Sequence, residues 1–405
     1  MIKRFYLLLF TGLLFNYTSI AQSSANTLDI VSWNLEWFGS ASNGPANKDL
    51  QETNASKIIQ WLNADLYGLV EIVDTMRLRK VVDFIGADEY GFVVSPFCSL
   101  ATTNTGSNWL NGQKLAFIYR KSVFSNVTTR GLLRNSSNAY TNWASGRFPF
   151  MLSATVSING ISREMNFIVV HGKAGSTQTD YLRRLGGAQE LKDSLDANFS
   201  TATSFIIGDY NDALNTSIYT SASVSSFNPI IMDSTDADHY TSITLPLGAA
   251  GQSSMINFPN VVDNHVISNE AELMYVPGSA QIRTDITTVI PDYVTAHTVS
   301  DHYPVFSKYN LSVLTSVNDV NTEAFSVHAY PNPFAESVSI TSLKTYQHVS
   351  VRLLNVYGQV LYQQLIAVMH SGSSVRLPAP SLPKGIYFLQ VDSKQMHTVI
   401  KLTHQ

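Results

Sequence analysis

Acids, amides and histidines recur where apolar runs stop. The stretch SFIIGDYND delivers Asp209, Asn211 and Asp212 at the end of a run that reads as a buried strand. NFIVVHGKA ends in His171 and Lys173, VVDNHVIS carries Asp263 and His265, and SDHYPVF opens with Asp301 and His302. Near the N-terminus, WNLEWF holds Asn34 and Glu36, and LYGLVEIV holds Glu71 in otherwise apolar company. Singly, each has a structural explanation: a satisfied or exposed histidine, a turn-forming aspartate, a glutamate in an ion pair. Jointly they ask for more, because desolvating several carboxylates near one another is costly unless a cation joins them. An oxygen-rich set without cysteines or a histidine cluster suits a hard ion such as Mg²⁺ or Mn²⁺ rather than zinc.

The elements that must position these residues alternate between strand and helix from Leu28 to about Tyr309. Strands are expected over TLDIVSWNLEWF, ADLYGLVEIV, GFVVSPF, KLAFIYR, MNFIVVHGKA, SFIIGDYND and VVDNHVIS, and up to SDHYPVF. Helices are expected from Asn47 to Asn63, Thr75 to Ile85 and Asp180 to Asn198. On the first strand, Asn34 and Glu36 share one side while Trp33, Leu35 and Trp37 take the other. Mixed sheets flanked by helices bury such a pattern.

The chain has 405 residues, 44% hydrophobic and 14% charged, enough for more than one packed domain and too apolar for global disorder. A net charge of -4 excludes a general basic field for polyanions, so a nucleic acid would have to be gripped locally. The single cysteine, Cys98, excludes an intramolecular disulfide and reads as a small buried hydrophobe. Lys3 and Arg4, the apolar run that follows and Ser19-Ile-Ala21 form a secretory signal peptide with cleavage after Ala21. No later stretch is long and apolar enough to span a membrane. Residues 1–21 are therefore the signal peptide, 22–310 the α/β domain, 311–325 a polar linker and 326–405 a small all-β sandwich with a turn at Tyr357-Gly358.

In their order along the chain, WNLEWF, LVEIVD, VVHGKA, IGDYND, VVD and SDHYPV resemble the motifs of the endonuclease/exonuclease/phosphatase superfamily, which includes deoxyribonuclease I. The resemblance spans about Leu28 to Lys308, with GDYND and SDHYPV its most specific parts. It implies a four-layer α/β sandwich of two mixed sheets with helices outside. It implies Glu71 as the main metal ligand, helped by Asn34 and Asp301, and His302 as general base oriented by Asp263. Asp209 would manage protons near the attacked phosphorus, Asn211 would bond a phosphate oxygen, and His171 would stabilise the phosphate or the leaving oxygen. Two departures stand out: Val70 where the family often has Gln, and Asn264 between Asp263 and His265. A packing or surface role for His265 is therefore preferred to a catalytic one. Lys173, Arg147 and Arg183 are secondary candidates for substrate phosphates, as is Arg184, against a solvated-face reading of the helical arginines.

AYPNPF, VRLLNVYGQVL, LPKGIYFLQV and the terminal VIKLTHQ resemble the type A sorting domain of the Bacteroidetes type IX secretion system. That implies engagement of the secretion machinery and passage across the outer membrane. The expected protein is a secreted, monomeric, metal-dependent phosphodiesterase acting on extracellular DNA or RNA. Two rivals remain: hydrolysis of a lipid or small phosphoester, and a non-catalytic binding protein on the same scaffold.

Overall fold

The structure is a computed structural model describing residues 27–232, 238–312, 327–355, 359–378, 382–393 and 396–405. The expected signal peptide, the linker beyond residue 312 and the Tyr357-Gly358 turn lie outside the described residues. The chain divides into two units on either side of residue 316.

Twelve strands build the first unit: β1 Thr27–Phe38, β2 Leu66–Ile72, β3 Tyr90–Val94, β4 Lys114–Arg120, β5 Phe124–Gly131, β6 Phe150–Ile158, β7 Ile161–His171, β8 Ser204–Asp209, β9 Tyr240–Ser242, β10 Asp263–Ser268, β11 Gln281–Ile282 and β12 Val305–Asn310. They form two six-stranded sheets, β11-β12-β1-β2-β4-β3 and β5-β6-β7-β8-β10-β9. Each is mixed, because β1 runs parallel to β2 and β7 parallel to β8 while the other neighbours are antiparallel. The strands β5 and β6 were not among those expected, because β5 is mostly exposed and carries little apolar pattern.

Both faces of the first sheet are covered, so β1 is apolar on both sides. Leu28 and Ile30 join the core between the sheets, together with Leu66, Val70, Phe167, Val169, Phe205 and Ile207. Val31, Trp33 and Leu35 join a second core against α1 (Lys48–Leu62) and α2 (Thr75–Gly86), through Ile58, Ile59, Leu78 and Val81. At Gly68 the sheets approach so closely that a Cβ would lie 2.6 Å from Ile207. After two short helices, α3 (Gly106–Asn111) and α4 (Ser137–Asn142), the long α5 (Gln178–Phe199) lays Ala188, Leu191 and Leu195 into the core of the second sheet. A Thr177–Asp180 capping box starts α5 two residues before the expected Asp180. The result is the expected four layers, helix, sheet, sheet and helix.

The second unit is all-β: β13 Val327–Tyr330, β14 Ser337–Ser342, β15 Tyr346–Asn355, β16 Val360–Met369, β17 Ser374–Pro378, β18 Gly385–Ser393 and β19 Met396–His404. Antiparallel sheets β13-β14-β17 and β16-β15-β18-β19 enclose one core that includes Val338, Ile340, Val351, Leu353, Leu389 and Leu402. Alternation along β15 and β18 sends every second residue into that core.

Candidate active site

Strand parity brings most of the polar residues to one place. Leu28, Ile30, Ser32 and Asn34 point from β1 into the space between the sheets, so Asn34 ends a row that faces β8 and β10. Phe205, Ile207 and Asp209 form the answering row on β8, and Asp263 pairs directly across from Asp209 on β10. His171 ends β7 beside Asp209 in the parallel pair. Gly208 makes this register possible: its φ is +129°, and a Cβ there would lie 2.2 Å from the Val170 carbonyl oxygen.

Parity alone would leave Glu71 with Tyr67 and Leu69 on the helix side of β2. The pairing of β2 is shifted between Leu69 and Ile72, and Glu71 itself has φ +63°. This bulge delivers its carboxylate to the site, where Oε1 accepts from Asn34 Nδ2 at 3.1 Å and Oε2 from the Trp37 N–H at 2.9 Å. The expected alternation also ends early on β1, since Glu36 and Trp37 have φ +44° and +52°. Left-handed backbone at non-glycine residues costs roughly 1–3 kcal/mol each, and Glu36, Glu71 and Asn211 (φ +50°) all carry it here.

At the centre, Asn34 Nδ2 donates to Asp209 Oδ2 at 3.0 Å and lies 3.4 Å from His302 Nε2. Its carbonyl oxygen accepts the Glu36 N–H at 2.9 Å. Asn34 thus donates to both acids through Nδ2 while its side-chain Oδ1 accepts from backbone. His302 Nδ1 lies 2.7 Å from Asp263 Oδ2, and the His302 carbonyl is held by Trp33 Nε1 at 3.0 Å and by the Tyr293 hydroxyl. Asn211 donates to Asp209 Oδ2 and to the Gly172 carbonyl.

Burial would lower the His302 pKa, but Asp263, with help from Asp209 and Asp301, outweighs it and raises the imidazole to about 10. Asp209 is pushed up to about 7 by burial and by Asp263. His171, 3.5 Å from Asp209 Oδ2 and 3.6 Å from Glu71 Oε1, is buried and held neutral by desolvation, then by Arg147. Its Nδ1 has no hydrogen-bond partner.

Among the described residues two groups of metal-capable side chains emerge: Asp209 with Asp263 and His302, and Glu36 with His297 and Asp301. Glu36 is raised by burial and next by the charge of Asp301, with Glu71 adding to it. Carboxylates converging in this way from Glu36, Glu71 and Asp301 fit a divalent cation by the chemistry of the donor set. Sequence spacing did not single out Glu36 as a ligand or His297 at all, and no local signal could have found His297.

The secondary candidates all have partners within the chain. Arg147 is buried beneath the site, donating to the His171 carbonyl at 3.1 Å, the Gly172 carbonyl at 2.8 Å and Gln113 Oε1 at 2.7 Å. It props the backbone that carries His171. Arg183 is committed to the Thr141 carbonyl, and Lys173 to Asp180 at 2.8 Å. Arg184 forms a buried pair with Asp212 at 3.7 Å. Asp212 accepts from Ser217 Oγ and from the Ile218 and Ser226 N–H groups, so the second acid of GDYND pins the following loop. His265 is buried between the sheets, with Nδ1 2.8 Å from Ser307 Oγ and Nε2 3.0 Å from Ser32 Oγ, the preferred packing role. Cys98 is buried.

Residues 328–405 match the family model of the secretion system C-terminal sorting domain, which indicates export to the outside or the cell surface and contact with the type IX machinery. Among the described residues no helix is long and apolar enough to cross a membrane. No curated protein matches the chain. Solved structures similar to it are of endonuclease/exonuclease/phosphatase proteins. The human Nocturnin catalytic domain is 15% identical, with 70% of this chain and 94% of that one covered and a TM-score of 0.48. An endonuclease/exonuclease/phosphatase from Beutenbergia cavernae is 14% identical over 93% and 99%, with a TM-score of 0.48. A mannosyl-6-phosphatase from Bacteroides thetaiotaomicron is 12% identical over 70% and 99%, with a TM-score of 0.43.

Proposed function

We propose that this chain is an exported, metal-dependent phosphodiesterase, and that its substrate is extracellular nucleic acid. The observation that carries the reading is the His302–Asp263 pair, 2.7 Å apart and facing Asp209 and Asn34 at the mouth of two buried sheets.

Asp263 accepts from Nδ1 and leaves Nε2 of His302 as the atom that takes a proton from water. A divalent cation held by Glu71 and Asp301, with Glu36, would neutralise charge on the non-bridging phosphate oxygens. Its positive charge would also offset the acidic field around His302, favouring the neutral imidazole that a base requires. Asp209, lifted toward neutrality, can hold or release a proton at the reacting phosphate. Asn211 Nδ2, which donates to Asp209 and Gly172 in the free protein, and the neutral His171 would turn to phosphate oxygens or the leaving oxygen when substrate binds.

Beside Glu71 lies a groove of about 310 Å³ lined by Trp37, Leu100, Asn108, Asn111 and Gln113. An indole with amides and no charged side chain suits a flat, hydrogen-bonding ring, as a nucleobase presents, better than an acyl chain. The groove gives a nucleobase a place to stack beside the proposed metal site.

Purified protein is to be incubated with plasmid DNA and with RNA in Mg²⁺ or Mn²⁺, with EDTA and His302→Ala as controls. Cleavage lost in both controls supports the reading. Intact polymers together with turnover of sphingomyelin or a sugar phosphate would replace the nuclease by a small-phosphoester hydrolase. No turnover of any phosphoester would leave the binding-protein alternative.

A further inference from the structure

Glu36, His297 and Asp301 come from separate turns of the chain, yet their donor atoms lie within 4.8 Å of one another. We propose that His297 supplies an imidazole nitrogen to the metal site, completing a Glu36–His297–Asp301 set that prefers Mn²⁺ and later transition ions to Mg²⁺.

The argument begins with how the two segments are joined. Gln51, fully buried on α1, donates from one amide nitrogen to the carbonyls of Leu35, Glu36 and Val299, at 2.9, 3.0 and 3.0 Å. Asn54, one turn further along, donates to Thr298 Oγ1 at 3.2 Å. Ser300 Oγ donates to the Asn34 carbonyl at 2.7 Å and accepts the His302 N–H at 3.0 Å. Thus the backbone from Asn34 to Glu36 is tied by buried side chains to the segment from Thr298 to His302, which follows His297 and contains Asp301. Supporting bonds of this kind fix the direction of metal ligands before an ion arrives.

The backbone at both outer ligands is also unusual. Glu36 has φ +44°, and His297 has φ +49° as it closes the short helix Tyr293–Ala296. His297 Nε2 meets Glu36 Oε2 directly, while its side chain stays 48% exposed. Three protein donors facing solvent leave coordination positions for water or a phosphate oxygen. Two carboxylates alone would suit Mg²⁺; adding an imidazole shifts preference along the series toward ions that bind nitrogen well.

The inference rests on the metal-dependent reading above, but its test does not need turnover. The purified protein is titrated with Mn²⁺ alone, with Mg²⁺ as competitor, and bound Mn²⁺ is examined by electron paramagnetic resonance for coupling to nitrogen. Wild type is expected to show that coupling. His297→Asn, which keeps the left-handed backbone, is expected to lose it and to weaken Mn²⁺ at least about tenfold, with Mg²⁺ affinity within about twofold. His302→Asn should retain the coupling, and Glu36→Gln should weaken both ions; thermal melting checks that each variant is folded. Absence of coupling in wild type would reduce His297 to an ion-pair partner of Glu36 and overturn the proposal. So would coupling that survives His297→Asn and vanishes in His302→Asn. A protein that shows the coupling but hydrolyses no phosphoester keeps this site and loses the proposed function.

Discussion

Asp263 and His302 meet at 2.7 Å although one opens β10 and the other precedes β12 in the opposite sheet. The imidazole is therefore oriented across the gap between the sheets, and its Nε2 faces Asn34 Nδ2 at 3.4 Å and Asp209 Oδ2 at 4.0 Å.

Replacing Asp263 by Asn should keep the shape of this contact while removing the charge that orients and supports the imidazolium. Turnover of plasmid or bis-nitrophenyl phosphate is expected to fall about 10²–10⁴-fold with little change in KM. Steady-state kinetics of Asp263→Asn check this, and near-wild-type kcat would remove the pair from the mechanism. His302→Ala abolishes turnover too, but it leaves Asp263 buried without its partner, so a lower melting temperature is expected alongside.

Glu71→Gln keeps the acceptor for the Trp37 N–H and deletes the charge. The midpoint of the metal-activation curve should move to higher Mg²⁺ or Mn²⁺. An unaltered titration would place the ion on other residues.

Asp212 is predicted to act on the loop rather than on phosphate. Asp212→Asn leaves Arg184 buried without its counter-charge and should destabilise the unit by about 3–5 kcal/mol. Urea unfolding measures the loss, and limited proteolysis is expected to cut first between Ala213 and Ser226. Unchanged stability would contradict the anchoring role.

His265 gives the pH prediction. Burial holds its pKa down to about 3 against an ordinary 6.5, so between those values the unfolded chain binds the extra proton. Stability tied to this group is full above pH 6.5 and declines as pH falls toward 3, by about 1.4 kcal/mol per pH unit. His265→Gln should show a flatter stability profile from pH 7 to pH 5 in parallel urea titrations; identical slopes would show that His265 is not buried neutral.

The order of motifs, the alternation of strands with helices and the amphipathic β15 and β18 were all legible, because each is a local pattern of period two or of helical period. Strand parity grouped Asn34 with Glu36, His171 with Lys173 and Asp209 with Asn211, but did not determine which of them share one site. Three things were decided only by the packed fold. Glu71 reaches the site because a bulge at φ +63° overrides its parity. Arg147, a candidate for substrate, donates to the carbonyls of His171 and Gly172, because the start of β6 lies beside the end of β7. His297 joins Glu36 because Gln51 and Asn54 tie two distant segments together. Local sequence determines which groups a strand can offer and on which face. Backbone irregularity and long-range hydrogen bonds, which no period encodes, decide which of those groups meet.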